Sequence, residues 1–216
     1  SREPQPIKDL LFEGMLYVKK EKSLKTLFLL ETTTSTFGLF YMVLMPAIAK
    51  DQLGLAADGL GTAYSSIGVG AFIALLFLAS VSNRPWKPLL GRIAMTTFAL
   101  AMITLGVVHV PFVAYILFAF LGASAMVQFN TTNTLFQIIS PERLRGRVLA
   151  LHMWALMGVA PIGFLLFGWI AQRWDIATAC WIGGGMVGLG ATMGWIHRKR
   201  VVEPDVGHLG QQAQSS

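Results

Sequence analysis

The sequence predicts an all-α integral membrane protein, a six-transmembrane-helix bundle preceded by an amphipathic cytoplasmic helix. Three observations carry that prediction. Of 216 residues, 54% are hydrophobic and only 13% charged, whereas a soluble domain carries about 25% charged residues. Six windows reach the about 20 apolar residues that a spanning helix needs. Lys and Arg divide unequally between the two sides that those windows define. The mean hydropathy of +0.59 agrees. Eleven acids and seventeen bases cannot wet the surface of a soluble domain of this size. The same composition excludes a disordered chain, which would be poor in apolar residues and rich in charge.

Residues 1–23 form the first element. Ile7, Leu10, Leu11, Met15 and Val18 recur at helical spacing, with Lys8, Asp9, Glu13 and Lys19 on the other side. That pattern is an amphipathic helix on the membrane surface or a helical linker. The transmembrane domain follows over 24–197, with spans expected at 24–49, 60–81, 88–108, 112–139, 148–171 and 176–197. Asp51, Gly54 and Asp58 punctuate the first break, Asn83-Arg84-Pro85 the second, and His109 with Pro111 the third. Ser140-Pro141-Glu142 and then Arg173 with Asp175 mark the last two, all residues favoured at helix ends. The polar segment 198–216 is expected to be a disordered cytoplasmic tail. The chain starts at Ser1 with no apolar signal sequence after it, so a piece of a longer chain is expected.

Orientation follows from the bases. With a cytoplasmic N-terminus, fifteen of the seventeen Lys and Arg lie on that side, leaving Lys50 and Arg173 opposite. Both termini are therefore expected in the cytoplasm. The net charge of +6 is then a topology signal. It implies no nucleic acid, only attraction to the lipid bilayer.

Small residues are dense in the spans. Gly68 and Gly70 lie in the second, and Gly183, Gly184, Gly185, Gly188, Gly190 and Gly194 in the sixth, where close helix packing is expected. Pro161, between Gly158 and Gly163, removes a backbone hydrogen bond and predicts a kink. Polar residues gather in two spans. Glu31 precedes Thr32, Thr33, Thr34, Ser35 and Thr36, while the fourth span holds Gln128, Asn130, Thr131, Thr132, Asn133, Thr134 and Gln137. Asn130, Asn133, Thr134 and Gln137 form one stripe on a helix face. At ~1.5 Å per residue, Glu31, Asn133 and His152 lie about 9, 10 and 7 Å inside their helix ends. These groups either line a hydrated cavity or make interhelical hydrogen bonds alone, and polar groups within membranes favour the cavity.

The fourth and fifth spans are joined by a loop with a recognisable pattern. Gln137, Pro141-Glu142, Arg145-Gly146-Arg147-Val148, Pro161-Ile162-Gly163 and Gly168 together resemble the major facilitator superfamily. The likeness is strongest to the bacterial exporters that include the enterobactin exporter. Glu13 to Val18 resembles the segment joining the two halves of such transporters, and Leu44-Met45-Pro46 and Tyr64 to Gly70 resemble their seventh and eighth helices. The resemblance implies one half of a major facilitator fold, the C-terminal one, with an N-terminal six-helix half as partner. It implies an antiporter for efflux of a small-molecule substrate, such as a siderophore or drug, driven by protons across a bacterial inner membrane. The alternative is a transport-inactive remnant or assembly partner. Two positions depart from the family pattern: residues 82–87 carry no acid where a gating motif often has Asp, and Glu31 stands where an apolar residue is expected.

Within this reading, Glu31, Gln128, Asn130, Asn133 and His152 are candidates for the substrate or proton pathway. Glu31 is the sole acid inside any span, and no Lys or Arg is expected at its depth. An ionised carboxylate there is expensive unless hydrated or paired, which makes it a candidate for coupling or substrate binding. Arg143, Arg145, Gly146 and Arg147 form a cytoplasmic loop that either sets topology alone or stabilises one gate conformation. Other chemistries find little support. No phosphate-binding Gly-x-x-x-x-Gly-Lys-Ser/Thr loop occurs. His109, His152, His197 and His208 are scattered and Cys180 stands alone, so neither a metal, a cofactor nor an internal disulfide is expected. An intramembrane serine protease would need Ser124 of Gly122-Ala123-Ser124 to reach His152, which the expected depths forbid. No enzyme is expected.

Overall fold

The computed structural model describes residues 7–81 and 87–197. Those residues build helices joined by short turns. Six helical stretches are long and apolar enough to cross a membrane: Lys22–Gln52, Ala57–Ser80, Pro88–Leu105, Pro111–Ile139, Arg145–Arg173 and Ile176–Ile196. Their outer surfaces are apolar. Phe72, Leu165 and Ile196 are 62%, 79% and 76% exposed, which suits lipid rather than water. The expected break at Asn83-Arg84-Pro85 and the tail 198–216 lie outside the described residues.

Helix α1 (Ile7–Lys20) precedes the bundle. Gly14 is buried, and a Cβ there would sit 3.1 Å from Cβ of Arg147. Val18 is buried with Leu24, Leu27, Phe136, Leu144 and Val148. This helix is therefore docked through Gly14 and Val18 where the fourth span ends and the fifth begins. Met15, expected on the apolar face, is 52% exposed. The side chains of Ile7, Leu10 and Leu11 lie outside the described residues.

The first span is broken into α2 (Lys22–Phe37), α3 (Tyr41–Ala47) and a wider π-helical turn over Ile48–Gln52. Pro46, inside α3, offers no N–H to the helical ladder. α4 (Ala57–Ser80), α5 (Lys87–Leu105) and α6 (Pro111–Ile139) follow. The fifth span is broken too. α7 (Arg145–Met153) runs into a π-helical segment, Trp154–Gly158, and α8 (Ala160–Arg173) begins beyond Val159. The last span is α9 (Ile176–Ile196), whose first turn is capped by Asp175 accepting from Thr178 N–H at 2.6 Å.

The spans alternate in direction. Lys22, Lys25 and His197 border one cleft at one end, and Asp51, His109 and Asp175 border another at the opposite end. The first is called the basic end below. Helices α4 and α6 touch backbone to backbone. A Cβ on Gly70 would collide with the Ala119 carbonyl, and one on Gly122 with the Ile67 carbonyl. Glycine is required at both positions by this approach. Gly68, by contrast, faces open space. In α9, a Cβ on Gly183 would meet the Phe40 ring, and one on Gly184 the Ala99 carbonyl at 3.1 Å.

The interior is layered. One apolar cluster gathers Phe40, Met45, Phe98, Phe118, Phe167 and Val187, with the Phe40 and Phe167 rings stacked at 4.0 Å. A smaller one, containing Leu24, Leu27, Leu135 and Phe136, lies toward the basic end. Along α2, Glu31 and Thr34 fall between them; along α6, Gln128, Thr131 and Thr132 do. The polar layer thus lies between two apolar clusters.

Candidate functional site

Glu31 is only 2% exposed. Its carboxylate hydrogen-bonds with the Thr132 hydroxyl of α6, and Oε2 has no hydrogen-bond partner among the described residues. One turn deeper, the Gln128 amide donates to Thr34 Oγ1 at 2.8 Å, and the Thr34 hydroxyl donates to the Leu30 carbonyl at 3.2 Å. Glu31 and Thr34 share one face of α2, while Gln128 and Thr132 share the facing side of α6. Two polar rungs therefore join the first and fourth spans. The Gln128 carbonyl oxygen and the Thr32 and Thr131 hydroxyls are buried without hydrogen-bond partners among the described residues.

A cavity of about 30 Å³ opens beside these rungs, between α2, α5, α6 and α9. Gln128, Thr131 and Thr132 line it together with Arg92, against apolar walls that include Leu30 and Met95. That volume holds one water, given polar partners. Arg92 corrects the expectation that no base lies near the depth of Glu31. It lies in the first turns of α5, and it lines the same cavity as Thr132, the partner of Glu31. Its guanidinium lies 5.1 Å from the centre of the Trp195 ring. The Trp195 indole donates to Thr96 Oγ1 at 3.1 Å, which fixes that ring.

The other expected pathway residues are placed elsewhere. Asn130 donates to the Met126 carbonyl at 3.0 Å and faces a separate cleft between α4, α5 and α6, beside Leu75 and Thr134. Asn133 accepts from the Gln137 amide at 2.5 Å. His152 is fully buried between the rings of Phe129 and Phe136, at 5.5 and 5.0 Å, and neither ring nitrogen has a hydrogen-bond partner among the described residues. The reason is helical geometry. Two residues beyond Gln128 is about 200° round α6, so Asn130 turns away from α2, whereas Thr132 returns to it. Of the five candidates, Glu31 and Gln128 share one layer. Thr34, Thr132 and Arg92 complete it and were not singled out from sequence. Ser124 and His152 form no pair, because the imidazole has no hydrogen-bond partner among the described residues.

The expected loop residues lie at the basic end, but only Arg143 is in the connection, since Arg145, Gly146 and Arg147 already form the first turn of α7. Leu144 N–H donates to the Pro141 carbonyl at 2.9 Å, closing a turn. Arg143, Arg145 and Gly146 are exposed, and Arg147 is half-buried against Gly14 of α1. Pro161 stands in the first turn of α8. A Cβ on Gly163 would collide with the Thr36 carbonyl, so α8 and α2 also meet closely. The Ser35 hydroxyl donates to the Leu156 carbonyl in the irregular segment of the fifth span.

A family model described as transmembrane secretion effector matches residues 4–211. No curated protein and no solved structure matches the chain.

Proposed function

The chain belongs to the transmembrane secretion effector family, an enterobactin-exporter-like branch of the major facilitator transporters, and from that premise we propose that it is the C-terminal half of a proton-driven exporter. In this reading the cargo is a small organic molecule, and both termini face the cytoplasm of a bacterial inner membrane. The fifteen-to-two division of Lys and Arg in the sequence supports that orientation. In transporters of this kind the site lies near the midplane between two repeated halves, which rock to alternate access. This chain supplies one wall, and an N-terminal six-helix half is its partner.

The single observation that carries the reading is Glu31, a carboxylate inside a span with one oxygen on Thr132 and the other unpartnered. Buried carboxyls within membranes mark proton and substrate pathways. Glu31 holds and releases the coupling proton, Thr132 orients its carboxyl, and Gln128 with Thr34 fixes the spacing of α2 and α6. Arg92 and the small cavity beside it provide polar contact for the water that hands the proton on. Exposed Arg143 and Arg145, with half-buried Arg147, hold the start of the fifth span at the membrane face and bias one gate conformation.

Proteoliposome efflux of a fluorescent drug tests the proposal. A polypeptide carrying six upstream spans joined to residues 1–216 should move the probe against an imposed proton gradient. Residues 1–216 alone should not. Robust proton-dependent efflux by residues 1–216 alone would overturn the half-transporter reading.

A further inference from the structure

A cleft of about 380 Å³ lies between the first and last spans at the basic end. Its two walls follow helical spacing. Lys22, Lys25, Thr26, Leu29 and Thr33 descend α2, and Gly190, Met193 and His197 rise along α9. The polarity is graded. Lys22, Lys25 and His197 stand at the mouth, while Leu29 and Met193, 54% and 57% exposed, form the depth. From Lys25 to Thr33 the wall runs about 12 Å along the helix axis. Thr33 and Gly190 close the floor, since a Cβ on Gly190 would meet Thr33 Cγ2 at 3.2 Å.

Among the described residues, no Asp or Glu lines this cleft. Glu21, the nearest acid in sequence, is engaged at the start of α2, where its carboxylate accepts from Ser23 N–H at 3.5 Å. The His197 ring is held by a 3.0 Å contact between Nδ1 and the Met193 carbonyl, which leaves Nε2 for an outside partner. A cationic mouth over an apolar trough, opening toward lipid at headgroup level, matches a ligand with an anionic head and a hydrocarbon tail.

We propose that this cleft binds an anionic phospholipid of the leaflet at the basic end. The phosphate sits among Lys22, Lys25 and His197, and one acyl chain lies along Leu29 and Met193. Basic pockets between transmembrane helices select anionic head groups by this chemistry. The site is separate from the Glu31 layer. Leu30 lines both the cleft and the inner cavity and forms the wall between them, so the proposal does not depend on proton coupling.

Native mass spectrometry of the purified chain, equilibrated with equal phosphatidylglycerol and phosphatidylcholine, tests it. Phosphatidylglycerol should be retained preferentially. Lys22→Gln with Lys25→Gln should reduce that retention by roughly tenfold or more. Lys19→Gln with Lys20→Gln, an equal charge loss at the end of α1, should leave it unchanged. Met193→Trp, which fills the trough and keeps every charge, should also reduce retention, and it preserves the test if the lysine variant fails to fold. Inorganic phosphate at equal concentration should not displace the lipid. Equal retention of the two lipids, equal loss in both lysine variants, no loss with Met193→Trp, or displacement by phosphate would each overturn the proposal. So would absence of any retained lipid.

Discussion

The Ser35 hydroxyl donates to the main-chain carbonyl of Leu156, across 121 residues of sequence. Pro161 explains why that carbonyl is available. In the π-helical register of Trp154–Gly158, the partner of Leu156 would be the amide of the residue five positions on, and Pro161 has no N–H to give. A side chain of the first span thus completes the backbone of the fifth. Two positions along α8, a Cβ on Gly163 would collide with the Thr36 carbonyl, so the same pair of helices is also in close contact.

Ser35→Ala should destabilise the chain by about 1 kcal/mol, the usual net worth of one hydrogen bond. Pro161→Ala restores a backbone donor near the same carbonyl. In that background Ser35→Ala should cost measurably less. Unfolding curves in mixed micelles for the wild type, both single variants and the double variant would give the coupling, and strict additivity would remove the link between Ser35 and Pro161.

Gly70→Ala and Gly122→Ala each drive a methyl group into a facing carbonyl of the α4–α6 contact. Each should cost about 1–3 kcal/mol, as overpacking does elsewhere. Gly68→Ala, two residues from Gly70 but facing open space, should stay within about 0.5 kcal/mol of wild type. Comparable losses at Gly68 and Gly70 would contradict the backbone contact.

Asp175 caps α9, and its hydrogen bonds from the Thr178 backbone and side chain hold its carboxyl below the usual aspartate range. A depressed folded-state value means that the cap adds stability above the unfolded value of about 3.9. That contribution fades as pH falls through the lower folded value. Asp175→Ala should therefore lower the melting temperature near neutral pH and differ progressively less from wild type below about pH 4. Asp175→Asn, which can still accept from Thr178 N–H, should restore much of the loss.

The six spans were legible because twenty-residue apolar stretches between polar breaks admit few other structures in lipid. The interruptions within them were harder to read. Pro161 was expected to kink the fifth span, and the irregular turn is centred before it, on Trp154–Gly158. Nothing in the sequence reading marked the break between α2 and α3 near Gly38. There the amide of Gly38 still bonds Thr34 while Phe98 packs within 2.8 Å of its would-be Cβ, a tertiary constraint.

The candidate site was half legible. Glu31 was conspicuous as an acid among apolar residues, but the choice of neighbours depended on which face of α6 meets α2. The Asn130-Asn133-Thr134-Gln137 stripe is a true helical stripe, and it is not the one that meets Glu31. Helical periodicity groups residues into faces without saying which neighbour each face touches. Arg92 was missed for another reason. It falls inside the expected span 88–108, but counting it with the bases of the basic end gives no sign that it lines a cavity with Gln128 and Thr132.

The central claim is that Glu31 couples protons to export, and one comparison tests it most directly. Efflux rates of wild type and Glu31→Gln, both in the transporter that includes the upstream spans, should be measured against external pH. Glutamine keeps the shape and a hydrogen bond with Thr132 but exchanges no proton. Wild-type efflux should vary with external pH, and the variant should lose both the proton-driven rate and that dependence while inserting normally. A variant that kept the wild-type rate and pH profile would contradict the account.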